Sequence, residues 1–581
     1  MRRSPPPVQN VVVGFEVSQG IQRPDNGVVL ISNRATVVRV TLTSAVSHSN
    51  VSAWLHAYKN NAELPGSPIP AINNPRTLQA SANRAAINDT FNFRPPTSWL
   101  DGTVVFRVWA TNGTTYAAQS QMQAFTFNPA PPLRVTVVPI HYTCTSGGSG
   151  TVVPTPPYNY LVNDYTRKVY PVPTVTLQVR PVPVSYAGAC VSNTPDPDSD
   201  DWETMLDAVT AAWQSDNSPV RYYYGLLDVY CQFGCIAGMG WLGWLRAAVG
   251  FTGFGPQRLG ASEVHAHEVA HNHNVKHAPG CGASEPDPAF PYVDSQGRAR
   301  IGNADYPNFG LDVYDALTVY PYTSSLYDYM SYCGPTWTSD YTYLKIYQYA
   351  LQHNNLLVQS VTEAEETRYW LVRGRVRSDG SAQLEPLFTL SVRPSAEAAP
   401  AAPADDVPTA TLELLGNDDQ VLAAHTVALR ALSKPDAEGN LVRAFNELVP
   451  YVEGVAAARL RQGERVLAER RSGSAAPRVL PGLQALASAS ADTQSLTWRA
   501  ADEDGDPLSY LVRISTDGGQ TWYVAAITDQ PTVAFSRTAA PELLTPGQTL
   551  VEIQASDGIR THTQRFAQTG ETVFSAVEGT N

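Results

Sequence analysis

Histidine is concentrated in one short stretch of this sequence. The thirteen residues His265–His277 contain five of the eleven histidines of the 581-residue chain. Within the stretch, His267-Glu268-x-x-His271 places two histidines four residues apart, and positions with this spacing share one face of a helix. Zn²⁺ binds imidazole nitrogen and takes three protein ligands when a fourth position is left for water. Glu268 would then be placed to take a proton from that water. The spacing therefore predicts a hydrolytic zinc site.

The third ligand has to come from outside the helix. His277 follows His267 by ten residues, which on a straight helix would turn it about 80° away and carry it about 15 Å along the axis. The chain must therefore leave the helix after His271 and fold back. Asn274 is suited to this reversal because asparagine tolerates positive φ better than other non-glycine residues. We expect His267, His271 and His277 to form the metal site.

The same histidines allow two other arrangements. His273 and His277 are also four residues apart, although no glutamate accompanies this pair. Alternatively, the stretch is a histidine-rich exposed helix that binds no metal.

Length and composition describe the scaffold that must position these residues. A chain of 581 residues exceeds one hydrophobic core and predicts three to five domains. It is 43% hydrophobic and 16% charged with 45 prolines, which favours β-rich modules. The net charge of -13 argues against a nucleic-acid partner. No apolar run of about eighteen residues is present, so no transmembrane helix is expected.

The cysteines indicate an oxidising compartment. All six lie in the central third of the chain: Cys144, Cys190, Cys231, Cys235, Cys281 and Cys333. An even number confined to one region predicts disulfides, although their pairing has fifteen solutions. A second metal site at Cys231 and Cys235 is the alternative, with a spacing unlike that of zinc knuckles. The segment Met1–Pro7 lacks the apolar core of a signal peptide. Either a signal is missing from this numbering or export follows another route, and the cysteines favour export.

The predicted architecture is an α/β (α+β) domain flanked by all-β sandwiches. Residues 9–128 contain β-branched runs between turns and predict an immunoglobulin-like sandwich. Residues 133–358 predict strands and helices together, and we expect one helix from Trp202 to about Trp213, capped by Asp200-Asp201. A last helix is expected from Tyr341 to about Gln352, capped by Ser339-Asp340.

Two further β modules are expected after the α/β domain. Residues 366–472 predict a second sandwich, with Ala396–Pro408 as an exposed loop or linker. Residues 482–576 resemble fibronectin-type or related immunoglobulin-like sandwich repeats. The acidic loop Asp502–Pro507 makes Ca²⁺ a second candidate cofactor, although it lacks the EF-hand pattern and a solvated turn is the alternative.

The histidine motif resembles that of the metzincin zinc endopeptidases, H-E-x-x-H-x-x-G-x-x-H followed by a Met-turn. The matching residues here are His267, Glu268, His271, Asn274 and His277. Asparagine stands where the family has glycine, a change that is tolerable at a left-handed position.

The Met-turn would be supplied by Tyr327–Cys333. By this resemblance Met330 would underlie the zinc-binding histidines. Tyr332 would ligate the metal or hydrogen-bond the transition state, while a core tyrosine is the alternative. Cys281 and Cys333 follow the third ligand and the Met-turn, as in a group of secreted bacterial metzincin-like proteins. The resemblance implies that these two cysteines form a disulfide.

In the family, an edge strand above the zinc binds the substrate by β-addition. The segments Gly238–Trp244 and 247–250 are the candidates here, because their glycines permit close backbone approach. We single out Gly240, Trp241, Leu242 and Gly243 as substrate-binding residues. A buried strand and turn is an equal alternative.

The predicted function is that of a secreted, zinc-dependent endopeptidase acting as a monomer on extracellular proteins. Zinc-activated water would attack the peptide bond, with Glu268 as general base. Two alternatives stay open: a metallopeptidase directed at glycoproteins or mucins, and a surface adhesion protein with a vestigial metal domain.

Overall fold

The computed structural model is multidomain and consists mostly of β-strands. It describes residues 8–11, 13–146, 150–191, 194–216, 218, 221–229, 236–243, 245–253, 258, 260–353, 366–392, 407–436, 438–487, 492–543, 545–570 and 572–577. Among these residues, no helix has both the length and the apolar character needed to cross a membrane. The predicted β-rich, multidomain class is confirmed.

The N-terminal module is all-β, as predicted. Two 3₁₀ turns, Ile87–Asp89 and Thr97–Trp99, interrupt its strands. The strands are β1 Gln9–Val11, β2 Gly14–Ser18, β3 Ile21–Gln22, β4 Leu30–Ile31, β5 Val37–Thr41, β6 His48–Lys59, β7 Ala62–Glu63, β8 Ile69–Pro70, β9 Arg76–Leu78, β10 Phe91–Phe93, β11 Gly102–Thr111, β12 Ala117–Ser120 and β13 Gln123–Asn128. Strands β6 and β11 pair antiparallel, and their buried residues alternate with less buried ones. This period of two places one face of the sheet on the core.

The central region contains the helices. Its elements are β14 Leu133–Ser146, β15 Thr151–Val152, a π-helix Val162–Thr166, α1 Arg167–Val169, β16 Val175–Val179, β17 Val184–Val191, β18 Thr194–Pro195, α2 Ser199–Ser215, β19 Tyr222–Leu227, β20 Gly238–Gly240, β21 Ala247–Phe251, α3 Ala261–Asn272, β22 Phe309–Leu311, β23 Val319–Pro321, β24 Tyr327–Asp328, β25 Thr336–Trp337 and α4 Asp340–His353.

In the C-terminal region, the described residues form strands and no helix. They are β26 Thr367–Arg377, β27 Ala382–Leu384, β28 Phe388–Val392, β29 Thr409–Leu415, β30 Val421–Ala428, β31 Arg430–Ala431, β32 Val442–Pro450, β33 Ala457–Gln462, β34 Arg465–Arg471, β35 Arg478–Val479, β36 Gln484–Ala487, β37 Thr493–Thr497, β38 Ala500–Ala501, β39 Ser509–Ser515, β40 Tyr523–Thr528, β41 Thr532–Ser536, β42 Leu550–Ser556, β43 Thr561–Gln568 and β44 Phe574–Ala576. The predicted linker Ala396–Pro408 falls, except for its last two residues, outside the described residues.

The chain forms two compact units that divide the predicted 133–358 domain. One contains residues 1–133, 162–176 and 275–355, and the other contains residues 134–161, 177–274 and 356–581. Within the first unit, β22 pairs with β3 of the N-terminal module. Buried Arg34 also donates hydrogen bonds to the carbonyls of Arg167, Lys168 and Val172. These long-range bonds explain why both segments belong with the N-terminal module.

The second unit is built around one sheet with the strand order β18-β17-β14-β19-β21-β20. Strands β17, β14, β19 and β21 run parallel, while β20 is antiparallel and stands last in this order. Strands β19 and β21 are buried along their whole length, as expected for a parallel sheet covered on both faces. Helices α2 and α3 pack against this sheet.

The two predicted helices exist, and one of their caps was wrong. Helix α2 is capped by Asp198 instead of the predicted Asp200-Asp201. The Asp198 side chain accepts the backbone N–H of Asp201, and the Asp201 side chain accepts that of Asp198, so the helix begins earlier. The predicted cap of α4 is confirmed, since the Ser339 hydroxyl accepts the backbone N–H of Thr342.

Candidate metal site

Helix α3 carries the first two candidate ligands and ends immediately after them. It spans Ala261–Asn272. Asn274 has a φ of 58° and its backbone N–H donates to the carbonyl of His271 at 2.8 Å. The predicted departure from the helix and the left-handed conformation at Asn274 are therefore confirmed.

The reversal gathers the three predicted ligands. One ligand nitrogen from each of His267, His271 and His277 lies within 4.8 Å of the other two. All three residues are buried. Three imidazoles that converge in this way are a donor set that suits Zn²⁺ and also other divalent transition metals. The chain thus contains a three-histidine group that could bind a metal.

Hydrogen bonds fix the ring of His277. Its Nδ1 lies 2.7 Å from the carbonyl oxygen of Ser284, and its Nε2 lies 3.1 Å from the hydroxyl of Tyr332. Because a carbonyl can only accept, Nδ1 carries the proton and Nε2 keeps its lone pair, to which the Tyr332 hydroxyl donates. This is the tautomer that a metal ligand needs.

The other two histidines of the stretch, His265 and His273, pack against tyrosine rings. The ring of His265 meets Tyr224 edge-on at 4.7 Å, and burial lowers its pKa to about 3. The ring of His273 stacks on Tyr222 at 4.8 Å. All five histidines are at most 8% exposed. An exposed histidine-rich helix is therefore excluded.

Glu268, the predicted general base, is packed against strand β20. A Cβ atom at Gly238 would lie 2.8 Å from its Cγ, and one at Gly240 would lie 2.7 Å from its carbonyl oxygen. Glycine at both positions thus permits the close approach of β20 to α3. Glu268 is only 3% exposed, and burial raises its pKa, against the charge of Lys434 and a hydrogen bond from Ser433.

The predicted substrate-binding segment begins with β20 and continues into a turn. Trp241 is buried, and its indole N–H donates to the Thr210 hydroxyl at 2.8 Å. The backbone N–H of Gly243 donates to the carbonyl of His271 at 2.8 Å. The backbone N–H groups of Gly240 and Leu242 are also hydrogen-bonded, to Ser433 and Ala431, and a role of this segment in substrate binding stays a prediction. Trp244 lies outside the described residues.

On the side away from β21, the segment Gly240–Gly243 pairs with residues 431–433 of the following module. Leu432 forms an antiparallel bridge with Trp241. The N–H of Leu242 approaches the carbonyl of Ala431 at 3.4 Å. The pairing was not predicted, because nothing in the local sequence pattern connects residues so distant along the chain.

The predicted Met-turn is a tight, buried turn. Met330 is fully buried, and its carbonyl accepts the N–H of Ala278, the residue after His277, at 2.9 Å. This bond ties the turn to the third ligand. Tyr332 is half-buried, with its hydroxyl on His277 as described.

Asp328 holds the Met-turn and was missed in the sequence. Its fully buried carboxylate accepts the N–H of Met330 at 2.9 Å and the hydroxyl of Thr342 at 2.8 Å. It also accepts both the N–H and the hydroxyl of Ser339. Burial raises the pKa of this carboxyl, while the four hydrogen bonds oppose that shift. An acidic residue two positions before Met330 was the only available signal.

Two disulfides lie among the described cysteines. Cys281 pairs with Cys333, which confirms the pairing that the family resemblance implied. Cys144 pairs with Cys190. The predicted alternative, a metal site at Cys231 and Cys235, lies outside the described residues.

The acidic loop in the last module is hydrogen-bonded to a neighbouring segment. Ligand oxygens of Asp502, Asp504 and Asp506 lie within 4.8 Å of one another. Asp506 accepts the N–H of Gly473, and Asp504 accepts that of Ala475. These bonds are a structural explanation for the loop, and Ca²⁺ binding stays a prediction.

Comparisons with known proteins do not assign the chain to a family. No family model matches it, and no curated protein does so. The apo structure of β-glucuronidase 3 from Bacteroides uniformis is 10% identical, with 95% of this chain and 77% of that chain covered and a TM-score of 0.12. An exo-chitosanase from Amycolatopsis orientalis is 12% identical, with 95% and 79% covered and a TM-score of 0.13. Scores this low carry no inference about fold or function.

Proposed function

We propose that this protein is a secreted, zinc-dependent endopeptidase. The observation that carries the proposal is the convergence of three buried imidazole nitrogens from His267, His271 and His277, with Glu268 next to the first of them. The two disulfides are compatible with an extracellular location.

The three histidines would hold the metal through neutral imidazoles. The bond from His277 Nδ1 to the carbonyl of Ser284 supports this role by orienting the ring. When bound, Zn²⁺ supplies Lewis acidity, which lowers the pKa of a water and polarises a carbonyl.

Glu268 and Tyr332 would move and stabilise charge. Glu268 accepts a proton from the attacking water and returns it to the leaving amine, which requires its carboxylate to alternate between two protonation states. The Tyr332 hydroxyl, which already donates to a ligand nitrogen, would donate to the substrate oxygen as negative charge develops there. The glycine-rich β20 and the residues after it would hold the substrate backbone.

The test combines metal analysis with hydrolysis. We expect about one zinc per chain, and cleavage of casein that stops when a chelator is added and returns with zinc. Glu268→Gln should keep the metal and lose turnover by at least about a thousandfold, since a proton acceptor at the reacting water is removed. Glu263→Gln, an exposed change on the same helix, is the matched control and should be as active as the wild type.

Two results would contradict the proposal: a Glu268→Gln protein with full activity, or a chain that binds no metal after loading with zinc. Mucin offered beside casein distinguishes a glycoprotein-directed enzyme from a general endopeptidase.

A further inference from the structure

The segment Arg430–Lys434 lies along Gly240–Leu242, the backbone to which an extended peptide substrate would have to pair. An antiparallel bridge joins Leu432 to Trp241. The N–H of Gly240 donates to the hydroxyl oxygen of Ser433 at 3.2 Å, and that of Leu242 approaches the carbonyl of Ala431 at 3.4 Å. Both outward amides of the predicted substrate-binding backbone are therefore used by the protein itself.

The same segment also reaches the predicted general base. The Ser433 hydroxyl hydrogen-bonds to the Glu268 carboxylate, and the charge of Lys434 lies close enough to act on it. A single hydroxyl thus accepts from the edge amide and donates to the base. An incoming peptide and its water would require both of these positions.

The segment has a second anchor in its own module. Arg430 pairs with Ala444, and the N–H of Leu432 donates to the carbonyl of Val442 at 3.0 Å. The bonds from Arg430–Leu432 to β32 can therefore persist when the bonds from the segment to Gly240 and Leu242 are broken. This arrangement allows the contact to open without unfolding the module.

We propose that Arg430–Lys434 is an intramolecular substrate mimic that keeps the endopeptidase closed until an extended peptide displaces it. This inference rests on the proposed function. Glu268 is 3% exposed in the closed form, and Ser433 of the segment is among the groups that contact its carboxylate. An intramolecular competitor lowers the apparent affinity for every peptide, because only the open fraction of the molecules can bind one.

The first test follows amide hydrogen exchange in the zinc-loaded wild-type protein, with and without an extended peptide hydroxamate. Binding should speed the exchange of the amides of Ser433 and Lys434, which lie beyond the residues paired with β32, by at least about tenfold. The amides of Gly240 and Leu242 should stay protected, because the ligand replaces the segment. Zinc-dependent binding without faster exchange at Ser433 and Lys434 would overturn the inference and leave the proposed function intact. The absence of any zinc-dependent binding would overturn the proposed function itself.

The second test weakens the contact by substitution. The double variant Ser433→Ala with Lys434→Ala should bind the hydroxamate about tenfold more tightly and cleave casein faster. Ser378→Ala is the matched control, because the Ser378 hydroxyl accepts the N–H of Leu441 in the same module, away from Glu268. Equal or weaker hydroxamate binding by the double variant, with zinc content unchanged, would show that the segment only stabilises the fold.

Discussion

The hydroxyl of Tyr332 lies 3.1 Å from Nε2 of His277, the nitrogen whose lone pair a metal would need. The opposite nitrogen of the same ring is held by the carbonyl of Ser284. The tyrosine hydroxyl therefore lies directly beside the proposed ligand set. This position makes Tyr332 a candidate donor to the substrate.

Replacing Tyr332 with phenylalanine should separate metal binding from turnover. Loss of the hydroxyl leaves the bond between Nδ1 of His277 and the carbonyl of Ser284 in place, so zinc affinity should stay close to that of the wild type. Loss of a donor to the developing oxyanion should lower kcat by about 100-fold. Zinc titration and steady-state kinetics measure the two effects independently. A Tyr332→Phe protein that loses zinc affinity and thermal stability, with kcat per bound zinc unchanged, would indicate a core tyrosine instead.

The left-handed conformation of Asn274 gives a second prediction. At a φ of 58°, Asn274→Gly should be neutral or nearly so. Asn274→Val should cost about 1–2 kcal/mol, because a β-branched side chain crowds the backbone at positive φ, where asparagine is tolerated. The strain falls between His271 and His277, so zinc affinity should decrease in the valine variant. Asn61, with a φ of 64° in the N-terminal module, is the control: Asn61→Val should reduce stability alone. Equal zinc affinity in Asn274→Gly and Asn274→Val would refute the link between this turn and the site.

The features that were predictable at the site are local in sequence. The position of the turn at Asn274 follows from helix geometry and the spacing of three histidines. The Cys281–Cys333 disulfide followed from a family resemblance, since spacing alone leaves fifteen pairings. Ser433 could not be predicted, because its contact with Gly240 joins segments far apart in the chain and depends on how two modules are packed. The division of residues 133–358 between two units has the same cause, as the bonds of Arg34 illustrate.

The two disulfides provide a matched pair for a third prediction. They close loops of similar size, with sequence separations of 52 for Cys281–Cys333 and 46 for Cys144–Cys190. In the chain-entropy model each therefore stabilises the fold by about 4 kcal/mol. Replacing either pair with serine should lower the unfolding midpoint in denaturant to a similar extent.

Of these two described disulfides, the Cys281–Cys333 pair alone should affect metal binding. It links the segment four residues after His277 to the residue that follows Tyr332, so its loss should weaken zinc binding by about tenfold. Zinc affinity in the Cys144→Ser, Cys190→Ser protein should remain that of the wild type. Equal zinc affinity in both double variants would contradict the prediction.

His141 predicts a pH dependence of stability that is unrelated to the metal. It is buried in the second unit, where its Nδ1 accepts the N–H of Ser536 at 3.1 Å, and burial lowers its pKa to about 4 although Asp492 opposes the shift. The folded chain therefore resists protonation, while the unfolded chain takes up a proton near pH 6.5. Stability from this residue is fully present above pH 6.5. It is lost as the pH falls towards 4, by about 3 kcal/mol in total.

The variant His141→Gln isolates this contribution. Glutamine can still accept the N–H of Ser536 but cannot be protonated, so the variant should lose less stability on acidification than the wild type does. Urea denaturation at several pH values should show a constant difference in unfolding free energy between pH 7 and 8. Below pH 6.5 the difference should change in favour of the variant, by up to about 3 kcal/mol near pH 4. A difference that stays constant over the whole range would mean that His141 is protonated in the folded chain as readily as in the unfolded one.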